Sequence, residues 1–278
     1  MNAAPTLVFS SRRNFLAAAS CLPLVACATF SASDRGDAVP ENRPKSIARF
    51  STAPADGKLP LGWQPYVLRQ DRHATEYGTV SVDNRTVLRA RSNNAATSAT
   101  CPVEISPTES PWLTWQWKLD HLIVGADVSA DELDDSPGRI FVAFDGDVNR
   151  IPANDIAFFD MVKFFTGKDL PYATLSYVWD PSLPVETLVS YSRSSRIKYI
   201  VVESGSGHLG EWISYRRNVV ADFRRAFGES PSTIDSVGIM SDTDDLGQKA
   251  EALFGDITFQ GSPENDVGLG AAKLPATP

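Results

Sequence analysis

Residues 113–119 alternate strictly between apolar and polar side chains, and this pattern limits the possible folds more than any other in the chain. The apolar side chains occupy every second position: Leu113, Trp115, Trp117 and Leu119. Successive side chains of a strand point to opposite faces of its sheet, so the pattern predicts a β-strand with one buried face. Residues 139–144 are apolar at nearly every position, which predicts a second strand covered on both sides.

Short β-strands are also predicted by most of the apolar patterns in the rest of the chain. We expect about ten strands, with one or two inserted helices near residues 155–167 and 217–227. A strand stays the alternative for residues 155–167. Strands and helices do not alternate regularly, which argues against a parallel α/β fold. Short strands with Gly and Pro turns predict an all-β fold, a β-sandwich of jelly-roll type, over residues 48–260.

The N-terminus has the pattern of an export signal over residues 1–26. Arg12 and Arg13 precede a short apolar run, which resembles a twin-arginine signal and is too short to span a bilayer. Residues 24–27 read Leu-Val-Ala-Cys and resemble the lipobox of bacterial lipoproteins, which makes Cys27 the expected lipidation site. The alternative is ordinary cleavage and release into the periplasm.

A lipid on Cys27 would make the membrane a partner and place the protein on the cell envelope, facing the periplasm. Residues 27–47 are rich in Ser, Ala, Pro and charge, which predicts a flexible linker between the anchor and the domain. Residues 261–278 are rich in Gly, Pro and Ala and predict a disordered tail.

Charge and cysteine content exclude some partners and sites. The chain of 278 residues has a net charge of −8, so we do not expect it to bind nucleic acid. Of its three cysteines, Cys21 lies in the export signal, Cys27 directly follows it, and only Cys101 lies in the predicted domain. A buried structural thiol is the simpler interpretation of Cys101, since no His or Asn beside it supports a nucleophile.

Seven separated sequence marks resemble one known family. They lie at residues 113–118, 139–147, 170–179, 211–218, 222–228, 242–245 and 254–257. In this order they resemble the bacterial family catalogued as domain of unknown function 3047, whose name implies no settled activity. The last part of the chain is also similar to the closing strands of jelly-roll carbohydrate-binding modules.

Carboxylates suggest the first kind of site. Glycoside cleavage needs two carboxyl groups about 5–10 Å apart. The chain offers an acidic loop at residues 127–138 and an Asp-Gly-Asp sequence after the second strand, with Glu203 as a further acid. The candidate catalytic residues are Asp134, Asp135, Asp145 and Asp147.

Aspartates near presumed strand ends suggest a metal site. Carboxylates from separate strand ends can converge on a hard cation, and Ca²⁺ takes about 6–8 oxygen ligands. The candidate ligands are Asp242, Asp244 and Asp256, with Asp245 beside them. The alternative is a set of solvated turns whose backbone is capped by aspartate side chains.

Aromatic and arginine side chains suggest a ligand-binding site. Trp179 and Trp212 lie near strand ends, where their rings could stack on a sugar, and Trp63 and Tyr177 are weaker candidates. Arg139 and Arg216 could grip a carboxylate or phosphate through two hydrogen bonds, as could Arg217. The alternative for the arginines is a fold-stabilising ion pair with one of the many aspartates.

Three functions follow from these features. The first is an envelope lipoprotein that binds a carbohydrate or other glycan, with Ca²⁺ as a possible cofactor. The second is a glycan-active hydrolase or lyase that uses the acidic loops. The third is a scaffold lipoprotein without a small ligand. If Asp134, Asp135, Asp145 and Asp147 line one cleft, the second function is favoured. If they scatter around turns while Trp179 and Trp212 face a groove, the first is favoured.

Overall fold

The structure, a computed structural model, describes residues 43–68 and 71–261. The predicted export signal with Arg12 and Arg13, the lipidation site Cys27, most of the predicted linker and the predicted tail from residue 262 lie outside these residues. Residues 43–47, assigned to the linker, pack on the domain. The backbone N–H of Glu104 donates to Pro44 O at 2.8 Å, and Ile47 is buried. The described domain therefore begins before residue 48.

Thirteen strands lie in residues 43–68 and 71–261. In chain order they are β1 (Gln64–Tyr66), β2 (Glu76–Val82), β3 (Arg85–Asn93), β4 (Ala96–Ile105), β5 (Trp112–Leu119), β6 (Ser136–Phe144), β7 (Ala173–Asp180), β8 (Leu188–Ser190), β9 (Ile197–Ser204), β10 (Ile213–Asn218), β11 (Ile234–Asp242), β12 (Lys249–Phe254) and β13 (Thr258–Gln260). The two strands with the clearest patterns, β5 and β6, are where the sequence predicts them.

The strands form two sheets. A seven-stranded sheet has the order β1-β4-β11-β6-β7-β9-β8, and only its β7–β9 pair is parallel. A six-stranded antiparallel sheet has the order β10-β5-β12-β3-β2, and β13 pairs with the beginning of β5. The hairpin between β2 and β3 turns at Asp83 and Asn84, whose φ angles of 51° and 60° are those of a tight two-residue hairpin turn.

One apolar core fills the space between the sheets. Its centre is aromatic: the Trp115 ring lies 5.2 Å from Tyr177, and the Trp117 ring lies 6.1 Å from Trp179. These pairs join β5 of one sheet to β7 of the other. Full burial of each large apolar side chain stabilises the fold by about 1.5–3 kcal/mol. The fold class is therefore the predicted one, an all-β sandwich of jelly-roll type with inserted helices.

Two helices interrupt the strands, α1 (Ala153–Thr166) and α2 (Val219–Phe227). Gly167 ends α1 with a φ of 70°, a conformation that glycine adopts without a Cβ clash. Asn218 caps α2, because its side-chain oxygen accepts the backbone N–H groups of Val220 and Ala221. The sequence predicts this helix from residue 217, but β10 continues through the cap residue, so the helix begins two residues later.

The strands of the seven-stranded sheet end at two opposite ends of the sandwich, and each end carries candidate site residues. At one end, Ile105, Phe144, Ala173 and Ile234 are neighbours in register. The first described residue, Arg43, lies here, since its Nη1 donates to Asp235 O at 3.1 Å. We call this the Arg43 end. The opposite end, where Ala96, Ser136 and Asp242 are neighbours, is the Asp242 end.

Among residues 43–68 and 71–261, no helix is both long enough and apolar enough to cross a membrane.

Candidate functional site

Arg139 is buried at the Asp242 end, where two carboxylates surround it. Its Nη2 atom lies 2.8 Å from Asp134 Oδ1 and 3.2 Å from Asp242 Oδ2. The Tyr199 hydroxyl donates to Asp134 Oδ2 at 3.0 Å and closes the network. Only 4% of Arg139 is exposed. Its charge is thus used inside the protein, which corrects the prediction that Arg139 grips a ligand and supports the ion-pair alternative.

Burial has the largest effect on the pKa values of the two carboxylates in this network. Burial raises the pKa of Asp242 well above its ordinary value, and the nearby Arg139 offsets only part of that effect. Burial also raises the pKa of Asp134, again against the opposing effect of Arg139. The network therefore stabilises an arginine at the cost of two desolvated carboxylates, as buried ion pairs commonly do.

Three further carboxylates lie close together beside this network: Asp135, Asp244 and Asp245. One oxygen of each lies within 4.8 Å of the others. Burial, with Asp244 and Asp135 nearby, raises the pKa of Asp245. Such oxygens suit a hard cation. However, Asp135 already accepts the backbone N–H groups of Asp245 and Leu246 at 3.2 and 2.9 Å, and Asp244 pairs with Arg72 at 3.0 Å.

The three residues predicted to hold calcium do not come together. Asp242 faces Arg139, and only Asp244 belongs to the carboxylate cluster. Strand β12 separates both from Asp256, which accepts hydrogen bonds from the backbone N–H and hydroxyl of Ser51 at 2.9 and 2.5 Å. Asp244 and Asp256 thus lie beyond opposite ends of β12 and do not form one ligand set, while calcium itself stays a prediction.

The four predicted catalytic carboxylates divide between the two ends of β6. Asp134 and Asp135 precede the strand, and Asp145 and Asp147 follow it. A strand rises about 3.3 Å per residue, so the pairs are roughly 30 Å apart. Glycoside cleavage needs carboxyl groups about 5–10 Å apart. The four residues therefore do not line one cleft, which corrects the prediction that they share a catalytic site.

Asp145 and Asp147 have separate surroundings at the Arg43 end. Asp147 caps a short 3₁₀ turn by accepting the backbone N–H of Asn149 at 3.0 Å. Asp145 lies on a polar surface cleft of about 280 Å³. The lining residues of this cleft are Arg43, Val103, Glu104, Asp145, Thr233 and Asp235. Burial raises the pKa of Asp235, the least solvated acid of this cleft.

Trp179 is a core residue. It is 0% exposed, its ring packs on Trp117, and its Nε1 donates to Gly205 O at 2.9 Å. A ring without an exposed face does not stack on a sugar, so its burial corrects the prediction that it binds a ligand. The weaker candidates Tyr177 and Trp63 are buried in the same core.

Glu203 also serves an internal contact. Its carboxylate accepts the Tyr215 hydroxyl at 2.6 Å and lies 3.2 Å from His208 Nδ1. Burial and this hydrogen bond raise the pKa of Tyr215, so the phenol stays a donor. The contact joins β9 of one sheet to β10 of the other.

The outer face of the six-stranded sheet carries two arginine–tryptophan stacks. The Arg216 guanidinium lies 3.8 Å from the centroid of the Trp112 ring. The Arg85 guanidinium lies 4.0 Å from the centroid of the Trp212 ring. Cation–π contact orients each guanidinium plane at the surface. We call these four residues the double stack. It contains two of the predicted ligand-binding residues, Trp212 and Arg216.

A row of polar contacts joins the two stacks. Gln116 accepts a hydrogen bond from Arg85 Nη1 at 2.9 Å and donates through Nε2 to Ser214 Oγ at 3.0 Å. Two residues along β5, the hydroxyls of Thr114 and Thr258 are 2.7 Å apart. Cross-strand pairing of residue 214 with 116 and of 216 with 114 places this row between the stacks. The side chains of the face are therefore ordered by one another.

This face is positively charged although the chain is acidic. Its outward strand positions carry six basic side chains and two acidic ones, an excess of four positive charges, whereas the whole chain has a net charge of −8. The basic residues are Arg85, Arg89, Arg91, Lys118, Arg216 and Lys249, and the acidic ones are Glu76 and Glu251. A surface of one sign attracts ligands of the other sign.

Sequence reasoning identified half of the double stack. Trp112 belongs to the same outward set of β5 positions as Gln116, and the period of two was the signal that could have found it. Arg85 follows a hairpin turn far from β5 in sequence. Its place on the face depends on sheet order, which the sequence pattern does not give.

Comparisons with known proteins bear mainly on the family. No curated protein matches the chain. A non-crystalline cellulose specific carbohydrate-binding module, CBM28, is similar at 12% identity over 79% of this chain and 98% of its own, with a TM-score of 0.36. The CBM22-1-CBM22-2 tandem domain of Paenibacillus barcinonensis Xyn10C is similar at 10% identity over 81% of this chain and 49% of its own, with a TM-score of 0.32. Both likenesses are too slight to bear on the ligand.

The family match is extensive. A family model covers residues 61–258, which include both sheets' central strands, both helices and the double stack. The sequence marks at residues 113–118, 139–147 and 170–179 form β5, β6 and β7 at the centre of the sandwich. The chain belongs to the family described as protein of unknown function (DUF3047).

Proposed function

We propose that the protein is an exported envelope lipoprotein that binds an anionic glycan across the double stack. The observation that carries this proposal is the pair of surface guanidinium groups, each stacked on a tryptophan, on a positively charged sheet face. Arg216 and Arg85 supply this pair from opposite sides of β5.

The chemistry of the face supports an acidic sugar polymer. A guanidinium plane matches a carboxylate, sulfate or phosphate through two parallel hydrogen bonds. Gln116, Ser214 and Thr114 offer amide and hydroxyl groups of the kind that pair with sugar hydroxyls. Half-buried indole rings add apolar surface for the faces of sugar rings. An open sheet face can accept an extended chain.

The N-terminal sequence supports the location. We propose twin-arginine export through Arg12 and Arg13, followed by lipidation of Cys27 and attachment to the envelope on the periplasmic side. Replacing Arg12 and Arg13 with lysine is expected to keep the protein in the cytoplasm. Cys27→Ala is expected to abolish incorporation of a radioactive fatty acid into the exported protein. Labelling of the alanine variant would contradict lipidation at this residue.

Binding of the full chain to defined glycans tests the ligand. We expect isothermal titration calorimetry to detect oligosaccharides that carry carboxylate or sulfate groups, and not their neutral counterparts. The affinity is expected to fall at high salt because the attraction is electrostatic. Arg216→Ala and Arg85→Ala are each expected to weaken binding at least tenfold, the scale of about 1.4 kcal/mol for one charge-assisted contact.

Arg91→Ala is the matched control. Arg91 lies on the same sheet face, but it pairs with Glu251 at 2.6 Å and lies outside the double stack. Equal losses for Arg91 and Arg216 would indicate a diffuse charge effect without a defined site. Equal affinity for neutral glycans would contradict the anionic class. The absence of any binding would favour the scaffold alternative.

The hydrolase or lyase alternative has less support, because the predicted carboxylates lie at opposite ends of β6. The same glycans provide its test. Release of new sugar ends during incubation with the protein, and its loss in Asp134→Asn or Asp145→Asn, would favour that alternative over a binding protein.

A further inference from the structure

Helix α1 exposes apolar side chains to solvent over its C-terminal half. Phe164 is 82% exposed, Phe165 is 76% exposed and Met161 is 44% exposed. Val148, just before the helix, is 63% exposed. Single exposed apolar residues are common on proteins, but two adjacent phenylalanines on one helix are a patch that usually meets a partner.

The helix is apolar on two sides. At 3.6 residues per turn, Phe158, Phe159 and Val162 share one side, and Met161, Phe164 and Phe165 share the adjacent side. The first side faces the protein: Phe159 packs against the main core, and Phe158 lies 6.1 Å from the Tyr191 ring. The second side has no protein surface over it in the described residues. A helix that is apolar on two adjacent sides is expected to be covered on both of them.

The charges of α1 leave this side nearly neutral. Asp155 is buried beneath the helix, where it accepts hydrogen bonds from Ser194 and Ser195. Lys163 pairs with Asp169 at 2.8 Å, and Asp160 is the one further charge on the exposed part of the helix. An occupant of the exposed side is therefore recognised through apolar contact, with little contribution from charge.

The position at which the described chain begins indicates what covers this side. Arg43, which defines the Arg43 end, donates a hydrogen bond to Asp235 O. The loop that leads into α1 leaves β6 at the same end, where Asp145 N donates to Thr233 O at 2.9 Å. Cys27 precedes Arg43 by 16 residues, so a membrane held by the lipid proposed above for Cys27 would lie at most about 55 Å from Arg43 along the chain, and this step rests on that proposed function. The N-terminal segment thus connects to the domain at the end where α1 exposes its phenylalanines.

We propose that α1 lies on the surface of a lipid bilayer, with Met161, Phe164 and Phe165 at the boundary of the acyl chains. The helix has 14 residues, or about 21 Å, which suits a position along the interface and is too short for a span. Aromatic and aliphatic side chains on one side of a helix bind this boundary through apolar burial. The Asp242 end then points away from the bilayer.

A fluorescent label on single cysteines of the full chain tests this proposal. Cys21, Cys27 and Cys101 are replaced with alanine, and an environment-sensitive dye is attached at Phe165→Cys or at the matched control Val124→Cys. Val124 is 80% exposed and lies at the Asp242 end, where its backbone N–H donates a hydrogen bond to Gln248 Oε1. Vesicles of phosphatidylethanolamine and phosphatidylglycerol are expected to shift the emission at position 165 to the blue, at low and at high salt, and to leave position 124 unchanged.

Removal of the apolar side chains provides the second variant. Met161→Ser with Phe164→Ser is expected to abolish the shift at position 165, and circular dichroism checks that the fold is kept. A blue shift without vesicles that grows with protein concentration would overturn the proposal in favour of a second copy of the chain. The proposal would also be overturned by no shift at all, by equal shifts at both positions, or by a shift that high salt removes.

Discussion

The surroundings of a guanidinium group decide its role, as Arg139 and Arg216 show. It is enclosed by Asp134, Asp242 and the Tyr199 ring, whose centroid lies 5.1 Å away. The Arg216 guanidinium, by contrast, has a tryptophan beneath it and solvent above it. The same side-chain type therefore has a structural role at one position and is available to a ligand at the other, and burial decides which.

Replacement of Arg139 is expected to be costly. Arg139→Met leaves two buried carboxylates without their cation, so we expect a loss of about 3–5 kcal/mol in the free energy of unfolding, measured in urea. The loss should shrink as the pH falls below neutral. Arg139 opposes the burial that raises the pKa of Asp134 and Asp242, so its removal raises these folded pKa values further. The variant therefore takes up protons at a higher pH than the unmodified protein and gains more stability as the pH falls.

Arg91→Met is the control for this experiment. The Arg91 side chain is 52% exposed, and its pair with Glu251 lies at the surface. A pair at the surface contributes little to stability because solvent screens the two charges. If both variants lost the same stability, the buried network at the Asp242 end would not have the role assigned to it.

At the scale of elements, α1 is held mainly by its N-terminal half. The Asp155 carboxylate accepts hydrogen bonds from Ser194 Oγ, Ser195 N and Ser195 Oγ at 2.7, 2.7 and 2.6 Å. These contacts fix the helix to the turn between β8 and β9. The C-terminal half, with Phe164 and Phe165, is exposed. A helix attached in this way can present its free side to another surface.

Loss of the Asp155 contacts is expected to release α1 and leave the sandwich intact. Asp155→Ala removes three hydrogen bonds, worth about 1–3 kcal/mol together. Cleavage by trypsin after Lys163 should become faster at a temperature at which circular dichroism shows that the sandwich stays folded. Asp160→Ala, on the exposed side of the same helix, should behave as the unmodified protein. Unchanged cleavage of the Asp155 variant would show that the helix is held by other contacts.

The same attachment should fail in acid. Burial acts to raise the pKa of Asp155, but the hydrogen bonds from Ser195 and Ser194 outweigh it and lower the pKa below its ordinary value. A carboxylate with a lowered folded pKa stabilises the fold above the unfolded value of about 3.9, and this contribution is lost as the pH falls through the folded pKa. Trypsin is inactive there, so pepsin replaces it for this comparison.

The elements differ in how well the sequence predicts them. β5 and β6 were predicted because burial of one face or of both leaves a clear periodic pattern. The short β8 was not predicted, because three residues contain no period. The double stack was found only at Trp212 and Arg216, since Arg85 reaches it through sheet order. The prediction that Trp179 binds a ligand was wrong because an aromatic residue near a strand end has the same sequence pattern whether it is buried or exposed.

At the scale of the whole molecule, the proposed functions occupy different parts of the sandwich. The double stack lies on the outer face of the six-stranded sheet, and α1 contacts the turn between β8 and β9 of the seven-stranded sheet. The main core lies between the two sheets. The guanidinium groups of the double stack make their ring contacts and the Gln116 hydrogen bond within the six-stranded sheet and the residue before β10.

This separation predicts that glycan binding and bilayer contact are independent. Energetic effects of substitutions more than 7–10 Å apart, with no shared partner, usually add within about 0.5 kcal/mol. Arg216→Ala should therefore leave the blue shift at position 165 unchanged, and Met161→Ser with Phe164→Ser should leave glycan affinity unchanged. The combined variant should show both losses and no more. Glycan affinity that changes on addition of vesicles, by more than about twofold, would instead show that the two sheets transmit binding through the core.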